Sequence, residues 1–202
     1  MVDASGGGKT GINFNGLKNE VGVFCPARSV LIDTNFLRTL DYENVASGYA
    51  EMLKHRLIST TAHWAELRNF DLNHVDCPAL QALVAQSVQI KENIVEQDPL
   101  EHGIRKALNL GHTVGHAFES LALEENRPHL HGYAVAWGMV CELYLSNLKT
   151  GFPTDKMRQT IRFIRETYGT FAFDCKQYDR LYQFMTHDKK NTSGTINFTL
   201  LD

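Results

Sequence analysis

Arg105, Asn109, His112, His116 and Glu119 recur at spacings of four, three, four and three residues. Such spacing predicts a single helical face running from Arg105 to Glu119, because side chains three and four apart stack on one side of a helix. A helix buried in a core places Leu and Val on its aligned face. Here Leu108, Val114, Ala117, Phe118 and Leu121 take the other faces, and the aligned face carries hydrogen-bonding and metal-binding groups. A polar stripe with apolar flanks must face water or a wet, functional cavity. Two imidazoles four residues apart can converge on one metal ion or one substrate, so the stripe reads as the wall of a site.

Bulk properties exclude several classes. A chain of 202 residues that is 43% hydrophobic can bury one substantial core or two small ones. A formal charge of -3 gives no electrostatic case for a nucleic-acid partner. No apolar run approaches membrane-spanning length and no signal-peptide pattern opens the chain, so a soluble intracellular protein is expected. Cys25, Cys77, Cys141 and Cys175 are scattered without a Cys-x-x-Cys pair, and read as reduced thiols.

Along the chain, Val21–Phe24 and Ser29–Asp33 look like short buried strands. From Asp41 onward the apolar spacing is helical, over Glu43–Ser59, Ala62–Asn69, Pro78–Gln97, Ile104–Leu123, Gly132–Thr150 and Thr154–Tyr168. Gly151-Phe-Pro153 is a helix stop and Thr154 an expected N-cap. A short helix, Tyr178–Thr186, leads through Asp188-Lys-Lys190 to a strand-like end at Thr195–Leu201. A glycine loop with no element before it, and a last strand without a partner, suggest a domain taken from something longer.

Gly6-Gly-Gly-Lys-Thr10 invites a phosphate-loop reading, but Asp3 stands where the first glycine of that pattern belongs, and no hydrophobic strand precedes it. A glycine turn that brings Lys9 close to an anion, or a flexible hinge, remains. Glu51 and Lys54 are three apart on one helical face, amid the small residues Ala46, Ser47, Gly48 and Ala50. Lys91 falls within an apolar stripe and either snorkels or points into a cavity. His131 starts a helix, where a lone His is more often a cap or core residue. With Glu51, His112 and His116 it completes a mixed nitrogen and oxygen set, and two His plus one carboxylate is a catalytic zinc arrangement. Metalloprotease chemistry is disfavoured, since His112-Thr-Val-Gly-His116 lacks the general-base Glu.

Gly7-Gly-Lys-Thr-Gly-Ile-Asn13, Lys18-Asn19, Ala50-Glu-Met-Leu-Lys54, Leu108-Asn-Leu-Gly-His-Thr-Val-Gly-His116, Leu130-His-Gly132 and Asp188-Lys-Lys190 together resemble the 3-dehydroquinate synthase family. The resemblance covers essentially the whole chain, in order, and the Leu108–His116 block is its most specific part. It implies a mainly α fold: the helical, metal-binding C-terminal domain, residues 41–202, behind a strand-containing connector, residues 1–40. The family's NAD-binding Rossmann-like domain would then lie mostly outside this chain.

The resemblance also implies roles. Glu51, His112 and His131 match the metal ligands, for Zn2+ or Co2+. His116 matches a catalytic histidine near the transferred phosphate. Lys54, Lys91, Arg105, Asn109 and Asp3 match residues that hold a polyhydroxylated, carboxylated, phosphorylated substrate, and Asn19 fits the same group. One of Lys189 and Lys190 meets substrate, with the choice left open. Lys9, Lys18, Phe36, Leu37, Arg38 and Thr39 match NAD+ contacts.

The implied reaction converts 3-deoxy-arabino-heptulosonate 7-phosphate into 3-dehydroquinate and phosphate, a step of the shikimate pathway toward chorismate and the aromatic amino acids. Transient oxidation of a ring hydroxyl by NAD+ acidifies the adjacent C–H and lets phosphate leave; reduction, ring opening and an intramolecular aldol follow. Two positions depart from the family pattern. Gly6 replaces a usual Val, and Tyr133 stands where a Glu often follows His-Gly. The alternatives are another sugar-phosphate cyclase, a metal-dependent polyol dehydrogenase, or an inactive metal-binding module. Cytoplasmic location is expected, negligible turnover is expected of the chain by itself, and homodimerisation is left open.

Overall fold

The computed structural model describes residues 6–14, 17–59, 67, 70–187 and 195–202, with the backbone alone at 13 and 17–19. Apart from Leu67, the helix expected over Ala62–Asn69 lies outside the described residues, as do Asp3, Lys189 and Lys190. The chain divides into two compact units, Met1–Leu108 and Asn109–Asp202.

In the first unit, β1 (Ile12–Phe14) and β2 (Leu17–Val21) pair antiparallel, with Ile12 opposite Val21 and Phe14 opposite Leu17. This differs from the expected strands. Past Val21 the pairing shrinks to an isolated bridge between Lys9 and Phe24, with the Thr10 N–H donating to the Val23 carbonyl at 3.0 Å and the Cys25 N–H to the Gly8 carbonyl at 2.7 Å. Ser29–Asp33 forms no strand, and Leu31 is 96% exposed. An apolar run gives a strand only where a partner edge accepts its backbone bonds. Here Asp33 instead caps a 3-10 turn, Thr34–Thr39, by accepting from the Asn35 N–H at 2.9 Å.

Helix α1 (Tyr42–Leu57) starts on Asp41, whose carboxylate accepts from the Asn44 N–H at 2.8 Å. Helix α2 (Cys77–Gln97) starts on Asp76 with Pro78 in its first turn. Ala46, Tyr49, Ala50, Leu53 and Leu57 of α1, and Leu80, Leu83 and Val84 of α2, are buried. Polar links fix the pair: His55 Nδ1 meets Ser87 Oγ at 2.6 Å, and Arg56 donates to Gln86. Tyr49 donates to the Leu67 carbonyl at 2.6 Å and stacks on Phe70.

The second unit packs α3 (His112–Glu124) against α4 (His131–Lys149), with α5 (Thr154–Tyr168) on α4 and α6 (Tyr178–Thr186) on α3. Val114, Ala117, Phe118, Leu121, Ala134, Trp137, Phe171 and Leu181 form its core. Two glycines let α3 and α4 touch backbone to backbone: a Cβ on Gly138 would collide with the Gly111 carbonyl, and one on Gly115 would lie 2.9 Å from the Ala134 carbonyl oxygen.

Three sequence expectations change here. The helix expected over Ile104–Leu123 is broken: Ile104–Asn109 is a 3-10 turn, Gly111 sits at φ +78°, and α3 starts at His112. The periodicity of Arg105–Glu119 is continuous, but the close crossing with α4 demands a left-handed residue at 111, which ends one helical run and begins another. Pro153, not Thr154, occupies the cap of α5. Thr195–Leu201 is not a ladder strand; it is held by Thr113 Oγ1 donating to the Asn197 carbonyl at 3.1 Å and by Leu201 N–H donating to Ser146 Oγ at 3.0 Å. Among the described residues, no helix is long and apolar enough to cross a membrane.

Candidate metal centre

In the second unit, α3 has no side-chain cap of its own. Its first turn is held from α4 instead. Gly111 N–H donates to Glu142 Oε2 at 2.7 Å and Val114 N–H to Oε1 at 3.4 Å, with Glu142 fully buried. A carboxylate at a helix N-terminus satisfies otherwise orphaned donors and complements the helix dipole. Its effect is to fix the start of the turn that carries His112.

His112 Nδ1 lies 3.1 Å from the Leu110 carbonyl oxygen. A carbonyl only accepts, so Nδ1 carries the hydrogen and Nε2 of the neutral ring keeps its lone pair. His131, the first residue of α4, places Nδ1 3.0 Å from Glu119 Oε2, and the same argument leaves its Nε2 as the lone-pair nitrogen. The two ring centroids are 5.3 Å apart, with a ring nitrogen of each within 4.8 Å of the other. His116 completes a triangle, its centroid 5.4 Å from His112 and 6.0 Å from His131. Two imidazoles oriented through Nδ1 by a carbonyl and a carboxylate could supply two of the donors that a divalent ion takes.

His129 shows the contrast. It packs edge-on against Trp137 at 5.1 Å and near Phe171 at 5.9 Å, and burial, helped by the Arg127 charge, lowers its pKa. It packs on the edge of the aromatic cluster while remaining exposed, and is not part of the imidazole triangle. Tyr133 likewise joins the aromatic core, with Trp137 at 6.0 Å and Tyr168 at 5.2 Å. The carboxylate that orients His131 therefore comes from Glu119, not from the residue after Gly132.

The first unit holds the remaining candidates. On α1, Lys54 Nζ donates to Glu51 Oε2 at 2.5 Å, with Lys54 0% and Glu51 5% exposed, so the pair expected at three-residue spacing is buried, not solvated. Lys91 of α2 is 8% exposed; its stem passes the glycine turn, where a Cβ on Gly7 would lie 3.5 Å from Cε.

That turn is organised by Arg105. Arg105 Nη2 donates to the Gly7 carbonyl at 2.6 Å and Nη1 to the Pro99 carbonyl at 2.5 Å, while the guanidinium lies 5.5 Å from the Phe24 ring centre. Gly7 turns at φ +87°, a conformation open to glycine. Asp98 shapes the segment before Arg105, accepting from the N–H groups of His102 at 2.9 Å, Gly103 at 2.7 Å and Arg105 at 3.1 Å. Desolvation pushes the Asp98 carboxyl up, but the three donors outweigh it and its pKa is lowered.

Of the expected cofactor contacts, Lys9 pairs with Glu101. Phe36, Leu37, Arg38 and Thr39 lie on the 3-10 turn, where Phe36 is 70% exposed and Thr39 Oγ1 donates to the Phe36 carbonyl at 3.2 Å. Lys18 and Asn19 fall on β2, their side chains outside the described residues. Asn109 is buried at the end of its 3-10 turn. Sequence reasoning missed Glu142 and Asp98 as organising groups. Glu119 was legible on the polar stripe, but its partner was not.

Comparison with known proteins bears on these residues. The family profile described as 3-dehydroquinate synthase C-terminal matches residues 48–191, and that described as 3-dehydroquinate synthase N-terminal matches residues 1–47. A 3-dehydroquinate synthase of Parabacteroides distasonis is 60% identical over 200 residues, covering 99% of this chain and 57% of the relative. One of Leptospira interrogans is 39% identical over 204 residues, covering 99% and 55%.

Two solved structures share the fold. A 2-deoxy-scyllo-inosose synthase complexed with carbaglucose-6-phosphate, NAD+ and Co2+ superposes with a TM-score of 0.76 at 24% identity, over 93% of this chain and 52% of the other. ValA, a 2-epi-5-epi-valiolone synthase from Streptomyces hygroscopicus with NAD+ and Zn2+ bound, gives 0.71 at 24% identity, over 92% and 52%. The chain thus spans about half the length of the curated relatives it matches. With both halves of its sequence matched by that family's profiles, the chain belongs to the 3-dehydroquinate synthase family.

Proposed function

We propose that this chain supplies the metal- and substrate-binding part of a cytoplasmic 3-dehydroquinate synthase, which converts 3-deoxy-arabino-heptulosonate 7-phosphate to 3-dehydroquinate and phosphate. Residues 1–40 act as the connector and 41–202 as the binding domain. The observation that carries the reading is the orientation of His112 and His131, each with Nδ1 engaged by an acceptor so that the lone pair falls on Nε2.

In this reading Glu51, His112 and His131 hold one Zn2+ or Co2+. The ion supplies Lewis-acid polarisation of a substrate oxygen, and NAD+ supplies the hydride acceptor. Lys54, Lys91, Arg105 and one of Lys189 and Lys190 offset the carboxylate and phosphate of the substrate, while Asp3 and Asn19 hold it through its polar groups. Asn109 hydrogen-bonds a substrate hydroxyl. His116 moves a proton at the departing phosphate, where a group titrating near neutrality serves. Lys9, Lys18 and Phe36–Thr39 contact NAD+ from this side. The named ligands of the two solved relatives, a sugar-phosphate analogue, NAD+ and a divalent metal, belong to the same chemistry.

Phosphate release from 3-deoxy-arabino-heptulosonate 7-phosphate tests this. In a full-length synthase carrying this sequence, His116→Ala keeps its metal and loses most of its turnover. The 202-residue chain alone shows negligible turnover with added NAD+. Loss of metal in His116→Ala overturns the assignment of His116, and full turnover by the isolated chain overturns the assignment of NAD+ binding largely to the other half.

A further inference from the structure

Arg105 is 2% exposed, and both acceptors described for its guanidinium are neutral. Nη2 donates to the Gly7 carbonyl at 2.6 Å and Nη1 to the Pro99 carbonyl at 2.5 Å, while Nε meets no hydrogen-bond partner among the described residues. A buried guanidinium ordinarily sits against a carboxylate, because an uncompensated charge away from water is costly. Two carboxylates stand in the same turn, and both are engaged elsewhere. Glu101 pairs with Lys9. Asp98 gives Oδ1 to the His102 N–H at 2.9 Å, and Oδ2 to the N–H groups of Gly103 at 2.7 Å and Arg105 at 3.1 Å. Converging backbone donors of this kind make an anion-binding concavity, filled here by the chain's own carboxylate. The three bonds close the turn around Glu101, which stands at φ 64°, a left-handed conformation that a non-glycine residue adopts at a cost.

We infer that Asp98 is a positioning residue for Arg105. Its carboxylate fixes the backbone that carries Arg105, so that the guanidinium lands on two carbonyls, and it does so without neutralising the guanidinium. The charge is thereby left for an anionic group of the substrate, so the inference rests on the reading above in which Arg105 meets substrate. An asparagine at position 98 has one acceptor oxygen for the three donors of the turn, and its amide N–H faces one of them. The turn then relaxes, the guanidinium fork shifts, and substrate is held less well. Because Asp98 acts through a binding contact, its loss appears in KM more than in kcat.

Phosphate release by a full-length synthase carrying this sequence tests the inference. Asp98→Asn is expected to keep its metal and to raise KM for 3-deoxy-arabino-heptulosonate 7-phosphate about tenfold, with kcat within about threefold of wild type. In an Arg105→Gln background, where kcat/KM is already low, adding Asp98→Asn should lower kcat/KM by less than about twofold, because the group it positions is gone. Arg105→Lys, which keeps the charge without the planar fork, serves as the background if Arg105→Gln is too slow to measure. If Asp98→Asn does not fold, Asp98→Glu, which keeps the charge but shifts it by a methylene, carries the same expectations. An unchanged KM, a loss carried by kcat alone, or a loss that persists in full without Arg105 overturns the inference and leaves the substrate reading standing. Unfolding of both Asp98 variants overturns it too, since Asp98 then serves only the fold. Arg105→Gln with an unchanged kcat/KM overturns the reading of Arg105 itself.

Discussion

The Gly111 N–H donates to the buried Glu142 carboxylate over 2.7 Å, and this contact sets where α3 begins. One oxygen serves Gly111 and the other Val114, so both must accept. A glutamine here offers one acceptor and one donor, and turns an N–H toward an N–H. Glu142→Gln is therefore expected to destabilise the chain by about 2–4 kcal/mol, close to Glu142→Ala, in urea unfolding. A neutral Glu142→Gln variant contradicts the capping role.

Two glycines should respond oppositely to a methyl group. Gly138 has the Gly111 carbonyl in the way of a Cβ, whereas Gly6 has nothing within 4 Å and no left-handed φ. Gly138→Ala is expected to lose about 1–3 kcal/mol through forced separation of α3 and α4. Gly6→Ala is expected to gain about 0.4–1 kcal/mol by restricting the unfolded chain. Thermal unfolding of both variants checks the pair of signs.

Cys141 borders an apolar cavity of about 520 Å³ with Phe118, Tyr144, Ile161, Leu181 and Phe198. Burial, then the Glu142 charge, pushes its thiol from 9.0 up to about 11. At pH 8 its thiolate fraction is then about a hundredfold below that of an ordinary thiol. Iodoacetamide should label exposed Cys25 and Cys175 first and Cys141 last. Because the folded pKa is raised, the stability tied to the neutral thiol is complete below about pH 9 and is lost as pH rises through 11. Cys141→Ala should flatten that part of the pH–stability curve; an unchanged slope argues against the shift.

The helices were the most legible part of the sequence, because 3.6-residue periodicity is a local signal. The break at Gly111 was not legible. A glycine within a periodic run reads as tolerated, and only the approach of Gly138 from α4 requires the left-handed turn. Ser29–Asp33 failed for the converse reason: its apolar run is local, while the partner edge a strand needs is not. In the candidate site, the stripe brought out His112, His116 and Glu119 by spacing alone. Glu142 carried no spacing signal, since a single carboxylate in an apolar helix becomes meaningful only when its backbone partners are known.

Metal content of the purified chain tests the central claim most directly. After dialysis into metal-free buffer, elemental analysis is expected to find about one zinc or cobalt per chain in wild type and none in His112→Ala, since a site left with one imidazole and one carboxylate loses most of its affinity. A His112→Ala chain that keeps its ion would contradict the account, and would mean that the Nδ1 contacts of His112 and His131 orient the rings for something other than a metal.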